Sequence, residues 1–140
     1  MERFVKNGSS KSTDNGAALI IIKSGHEVVL VKDESKPSPH YWKLPGGKIE
    51  EGETPLEGAL REAGEEAVTG LNPDDFLHLA TVDRKNHLLY VYAVEAPDPC
   101  DIRERGEEGE MVRKFLISEL DQMVDFFPPH RKILEDLASK

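Results

Sequence analysis

Hydrophobic and polar positions change period several times along the chain, and each change marks an expected element. AALIIIK (17–23) and EVVLVK (27–32) are β-branched runs separated by Ser24-Gly25-His26, which predicts a hairpin at the start of a sheet. Residues 33–47 hold Pro37, Pro39, Pro45, Gly46 and Gly47, a density that predicts an ordered loop without regular structure. From Thr54 the period turns helical, with Leu56, Ala59, Leu60, Ala63 and Ala67 on one face. Thr54 suits the N-cap, Pro55 the first helical position and Glu57 the third, where it completes a capping box; Gly70 is expected to stop the helix.

FLHLATV and HLLYVYAV, joined around Arg84, Lys85 and Asn86, predict a second hairpin. DPCDIRERGEEGE reads as a polar loop, MVRKFLI as a strand, and SELDQM as a short helical turn capped by Ser118. Pro128 or Pro129 opens a final helix that turns Ile133, Leu134 and Leu137 inward. The first 16 residues, rich in Ser, Asn, Gly and Lys, read as a flexible arm before one domain over 17–140.

With 38% hydrophobic and 32% charged residues in 140, the chain has material for a core and is not compositionally disordered. Its longest apolar run, Ala17 to Ile22, falls far short of the roughly 20 residues needed to cross a bilayer, so no membrane association is expected. The start lacks the apolar stretch of a secretory signal and Cys100 has no second cysteine, which makes the reducing cytoplasm the expected compartment. A formal charge of -9 disfavours a nucleic acid polymer as partner. It leaves room for small nucleotides, because divalent cations at an acidic site reverse the local sign.

The first helix is poorly designed for stability alone. Glu62, Glu65 and Glu66 fall at i, i+3 and i+4 and repel one another, Arg61 is the only basic residue among the helix's acids, and Gly58 and Gly64 lie in its interior. A hard cation turns such a carboxylate face into a ligand set, whereas a plain solvated acidic face needs no ligand at all. The five histidines show no metal-ligand spacing.

The run GGKIEEGETPLEGALREAGEEA, preceded by Tyr41-Trp42-Lys43-Leu44-Pro45, resembles the signature of the Nudix hydrolase family. The resemblance is densest over residues 41–67, and the strand order agrees loosely with the family over 17–138. It departs where the family usually has a Gly two residues after the paired Glu; here stands Val68, with Gly70-Leu71 later, so the helix is expected to run about two residues longer.

The resemblance implies an α/β fold, an α/β/α sandwich around a mixed β-sheet. It also implies Mg²⁺, or Mn²⁺, held by the Gly46 carbonyl with Glu62, Glu65 and Glu66, and a Glu53–Arg61 salt bridge fixing the loop against the helix. The two glycines would serve a carbonyl that approaches the metal closely with unusual φ. A further carboxylate from a later loop is expected as ligand or base, with Glu110 favoured over Glu107 and Glu108. The implied reaction is hydrolysis of a nucleoside diphosphate linked to another moiety, with a Glu taking the proton from the attacking water. Lys48 is the candidate for a phosphate and Trp42, with Tyr41, for stacking on a base; packing into the core is the other reading of Trp42.

FFPPHRKIL resembles the approach to the last helix in MutT-like members that clean 8-oxo-purine nucleotides, but His130-Arg131 stand where those members present an Asn to the base, which leaves that substrate unsupported. Monomer and homodimer are both compatible with the sequence. The rival expectations are a Nudix-fold nucleotide-binding or sensor module without turnover, against which the complete REAGEE run argues, and an acidic protein that binds partners or calcium.

Overall fold

The computed structural model describes residues 16–97 and 100–138; the expected N-terminal arm lies outside them except for Gly16. The elements are β1 (Ala17–Ser24), β2 (Glu27–Lys32), β3 (Gly46–Lys48), α1 (Pro55–Glu66), β4 (Leu77–Arg84), β5 (His87–Glu95), β6 (Met111–Leu116) and α2 (Pro128–Ala138), with 3₁₀ turns at Pro73–Asp75 and Ile117–Gln122. The strands form one mixed sheet in the order β4-β5-β1-β2-β6, with β3 paired to β1. The β1–β5 pairing is parallel, from Ala17↔Leu89 to Lys23↔Glu95, while β4–β5, β1–β2 and β2–β6 are antiparallel.

Alternation along the strands divides the core into two layers. Ala18, Ile20 and Ile22 of β1 with Val29 and Val31 of β2 face Ala59 and Ala63 of α1. Leu19, Ile21, Val28 and Leu30 face the opposite layer with Trp42, Leu120, Phe126 and Ile133 of α2. A helix on each face of a mixed sheet is the expected α/β/α sandwich. Small residues at the α1 interface bring that helix close to the sheet. Among the described residues no helix is long and apolar enough to cross a membrane.

Three sequence expectations need correction. Residues 33–47 are not wholly irregular. β1 and β2 pair only beside their turn and then separate, and the segment from Lys43 onward fills the gap. Lys43 and Val31 exchange both backbone bonds, Ile20 N–H donates to the Pro45 carbonyl at 2.9 Å, and Gly46–Lys48 pair with Ala17–Leu19. The missing signal is alternation: a strand three residues long shows none.

α1 also ends at Glu66 rather than near Gly70. Val68 is buried in the core, and a later loop takes the helix's last carbonyls: Arg103 N–H donates to Ala67, the Arg103 guanidinium to Gly64 and Glu107 N–H to Glu65. Finally, the turn after β6 is capped from Leu116, not Ser118, with the Glu119 carboxylate accepting the Leu116 N–H at 2.8 Å.

Candidate active site

The start of α1 follows from its sequence. Thr54 accepts the Glu57 N–H and Glu57 accepts the Thr54 N–H, so the capping box is complete and the helix phase is fixed. That phase directs Glu62, Glu65 and Glu66 away from the sheet-facing alanines, into a cleft of about 490 Å³. β3 supplies one wall through Gly46, Gly47 and Lys48, and the loop before β6 supplies the other through Glu107, Glu108 and Glu110.

Arg61 organises this acidic surface. Its Nε and Nη2 form a two-point bond with the Glu53 carboxylate at 2.7 and 3.1 Å, which is the salt bridge expected from the resemblance. Nη1 reaches Glu62 at 3.1 Å and Glu65 at 3.2 Å, and Nη2 donates to the Lys48 carbonyl at 2.9 Å. One cation thereby ties the β3 backbone, the 50–53 turn and α1 together. These bonds hold the Glu53 carboxyl below its ordinary range and strengthen the protonation of Arg61.

Glu66 is placed differently. Its Oε1 accepts the Gly46 N–H at 2.9 Å. Burial pushes its carboxyl up to about 8, against the lowering effect of that bond, and the nearby Glu62 and Glu110 charges add to the rise. Burial likewise raises Glu62, although Arg61 opposes it.

Neither glycine of β3 has positive φ; Gly46 is required by the space left by the β1 backbone, and Gly47 by the position of the Glu62 carboxylate. A Cβ on Gly46 would lie 2.3 Å from the Ala18 carbonyl oxygen, and one on Gly47 would lie 2.4 Å from Glu62 Oε2. Gly58 similarly lets α1 approach Ile49, whereas the position of a Cβ on Gly64 is open.

Glu110, reached from a different element, is buried at 6% exposure. Its Oε1 accepts the Glu108 N–H at 3.2 Å, and the turn beneath it is closed by Gly106 N–H donating to the Glu110 carbonyl. Because this loop also holds the end of α1, Glu110 is fixed relative to Glu65 and Glu66. The carboxylates share a cleft without closing on a point: among the described residues no group of three His, Cys, Asp or Glu is arranged to enclose an ion. The donors nevertheless fit a hard divalent cation, being carboxylate and carbonyl oxygens, with burial and like charge at Glu62 and Glu66 only partly offset by Arg61 and the Gly46 N–H.

Lys48 is exposed at the rim of the cleft. Of the two readings of Trp42, its placement is that of a core residue and not of one open for stacking. It is 4% exposed, edge-on to Phe115, with Lys32 and Arg113 against its ring. Alternation contains the reason: Trp42 and Leu44 point inward while Tyr41 and Lys43 line a second cleft of about 440 Å³ with His40 and Phe127. This aromatic cleft meets the acidic one at Gly46, Glu66, Glu108 and Glu110. Phe127 and His40 carried no sequence signal, but a period of two read across YWKL picks out Tyr41 and Lys43. Arg131 is structural, donating to the Leu120 and Met123 carbonyls and packing over Phe126.

Known proteins resemble this chain in sequence and in fold. The chain is 44% identical over 103 residues to an RNA pyrophosphohydrolase of Rhizobium meliloti (strain 1021), a match covering 65% of this chain and 59% of that protein. The match thus spans less than two thirds of that relative's length. A bifunctional NMN adenylyltransferase/ADP ribose pyrophosphatase of Francisella tularensis, solved with AMP and a manganese ion, superposes with a TM-score of 0.75 at 18% identity, over 90% of this chain and 41% of that one. A MutT chain of the Aliivibrio salmonicida and Vibrio cholerae pair superposes with a TM-score of 0.65 at 21% identity, over 89% and 96%. At those identities the two structures establish the fold. The family model described as NUDIX domain matches residues 13–137, and the chain therefore belongs to the Nudix family.

Proposed function

We propose that this protein is a divalent-cation-dependent pyrophosphohydrolase that splits the pyrophosphate linkage of a nucleoside diphosphate joined to another moiety. The observation that carries the reading is the meeting of α1's half-buried carboxylates with the buried Glu110 and the β3 glycines at one cleft. Glu62, Glu65 and Glu66, with the Gly46 carbonyl, would hold Mg²⁺ or Mn²⁺. When bound, the cation neutralises phosphate charge and acidifies the attacking water.

The chain's own groups supply the rest. Arg61 and Glu53 keep the carboxylates and the β3 backbone in register. Glu110, buried and fixed by its own loop, takes the proton as water attacks phosphorus and the anhydride P–O bond breaks. Lys48 receives phosphate oxygens at the rim, and the cleft of Tyr41, Lys43 and Phe127 receives the organic part of the substrate.

The test is phosphate and pyrophosphate release with and without Mg²⁺. The panel comprises nucleoside triphosphates, ADP-ribose, dinucleoside polyphosphates, nucleotide sugars and 5′-triphosphorylated RNA. The last is included because of the pyrophosphohydrolase relative. Cation-dependent turnover is expected. Calorimetric nucleotide binding without hydrolysis of any panel member would overturn the enzyme reading in favour of a binding module.

A further inference from the structure

His130 lies in the first turn of α2, and its Nδ1 accepts the backbone N–H of Leu44 at 3.1 Å. The bond continues a ladder. Trp42 N–H donates to the Asp125 carbonyl at 2.8 Å and Phe127 N–H donates to the Trp42 carbonyl at 2.9 Å. Just beyond, the chain turns into α2, and the imidazole supplies the acceptor for the next N–H in the row. Leu44 is 2% exposed, so this N–H has no access to bulk water. The following residue, Pro45, has no N–H, and the next N–H along the chain is that of Gly46, which holds Glu66. The Leu44–Gly46 backbone is therefore gripped by β1 through Ile20 N–H on the Pro45 carbonyl, and by α2 through one imidazole nitrogen.

We propose that His130 is a positioning residue for hydrolysis: by accepting the Leu44 N–H it fixes the backbone that presents Gly46 to Glu66 and to the cation. The inference rests on the hydrolase reading above. It assigns His130 to the backbone instead of to the substrate. Because the Leu44 N–H donates to it, Nδ1 is the bare nitrogen of the ring, and burial with the nearby Lys43 and Arg84 charges, which push the imidazole down to about 4, keeps that ring neutral. The ring also stands edge-on to Phe127 at 4.9 Å, so its loss alters the aromatic cleft as well. An asparagine separates the two effects, because its Oδ1 can occupy the place of Nδ1 without the ring.

The experiment compares wild type, His130→Ala and His130→Asn by steady-state kinetics, Mn²⁺ affinity and hydrogen exchange of the Leu44 amide. In His130→Ala, kcat should fall about tenfold or more, and any change in KM from loss of the ring beside Phe127 should appear equally in His130→Asn. In the alanine variant the Leu44 amide should exchange at least about tenfold faster, and Mn²⁺ should bind about threefold more weakly or worse. His130→Asn should recover most of all three. Wild-type kinetics and Mn²⁺ affinity in His130→Ala would overturn the proposal, as would equal losses in Ala and Asn. Where His130→Ala does not fold, a kcat and Leu44 protection near wild type in His130→Asn support the proposal and their loss overturns it. A wild-type protein that binds Mn²⁺ but hydrolyses nothing sinks the enzyme reading alone, and Mn²⁺ affinity across the three proteins then decides this inference.

Discussion

Glu66 Oε1 accepts the N–H of Gly46 at 2.9 Å, which joins the end of α1 to a strand 20 positions earlier in the chain. The bond favours the carboxylate, yet burial outweighs it and leaves the carboxyl at about 8. Between the ordinary value of 4.5 and about 8 the folded chain keeps a proton at Glu66 that the unfolded chain releases, so stability declines as pH rises through that window. Thermal melts in chelator should show Tm falling by several degrees from about pH 5 to about pH 8.5, at roughly 2–4 °C per kcal/mol for a chain of this size. Glu66→Gln should flatten the curve, and Mg²⁺ should restore Tm at the alkaline end in wild type only. A pH-independent wild-type Tm would contradict the placement of Glu66.

Gly47 faces the Glu62 carboxylate so closely that a methyl group displaces it. Gly47→Ala should cut kcat by about a hundredfold or more, with a stability loss of about 1 kcal/mol, since Glu62 can swing toward solvent. Kinetics with parallel melts would check this, and unaltered turnover would show that the position of Glu62 is immaterial.

Arg61 joins Glu53, Glu62, Glu65 and the Lys48 carbonyl. Lysine keeps the charge but not the two-point bond to Glu53. Arg61→Lys should therefore destabilise by about 1 kcal/mol, discounted for the partial exposure of these groups, and lower kcat by more than about tenfold. Urea melts and kinetics together would reveal whether registration or charge matters.

Trp42 and Phe127 should respond in opposite ways. Trp42→Leu should lose about 2–4 kcal/mol of stability with KM little changed, because its ring fills the core behind the cleft. Phe127→Ala should chiefly raise KM for a substrate whose organic part occupies the aromatic cleft. A KM effect confined to Trp42→Leu would reverse these roles.

Much of this molecule is legible in its sequence because the relevant signals are local. The capping box at Thr54 and Glu57 fixes the phase of α1, and that phase places Glu62, Glu65 and Glu66 on one face before any tertiary contact is considered. The two hairpins follow from their turns, and the two-layer core from strand alternation.

The illegible parts depend on distant partners. α1 stops at Glu66 because Arg103 and Glu107 take its carbonyls, 39 and 42 positions further along, a relation that no helix-stop residue announces. β3 exists because β1 and β2 part to admit it. The bond made by His130 gave no signal for the same reason, since its partner is a backbone N–H 86 positions away. Trp42 was ambiguous because an aromatic next to a glycine-rich loop suits a ligand and a core equally well, and only the alternation of its neighbours separates the two.

The central claim is that the carboxylates of α1 support cation-dependent hydrolysis, and its most direct test is kcat with saturating Mg²⁺ for wild type, Glu65→Gln and Glu66→Gln on whichever nucleotide the wild type hydrolyses. Both variants should fall by orders of magnitude while remaining folded, with Glu66→Gln at least as stable as wild type because it removes an ionisable group from a buried place, and Glu65→Gln within about 1 kcal/mol because it loses only a partly exposed pair with Arg61. Turnover in both variants equal to that of wild type would contradict the account.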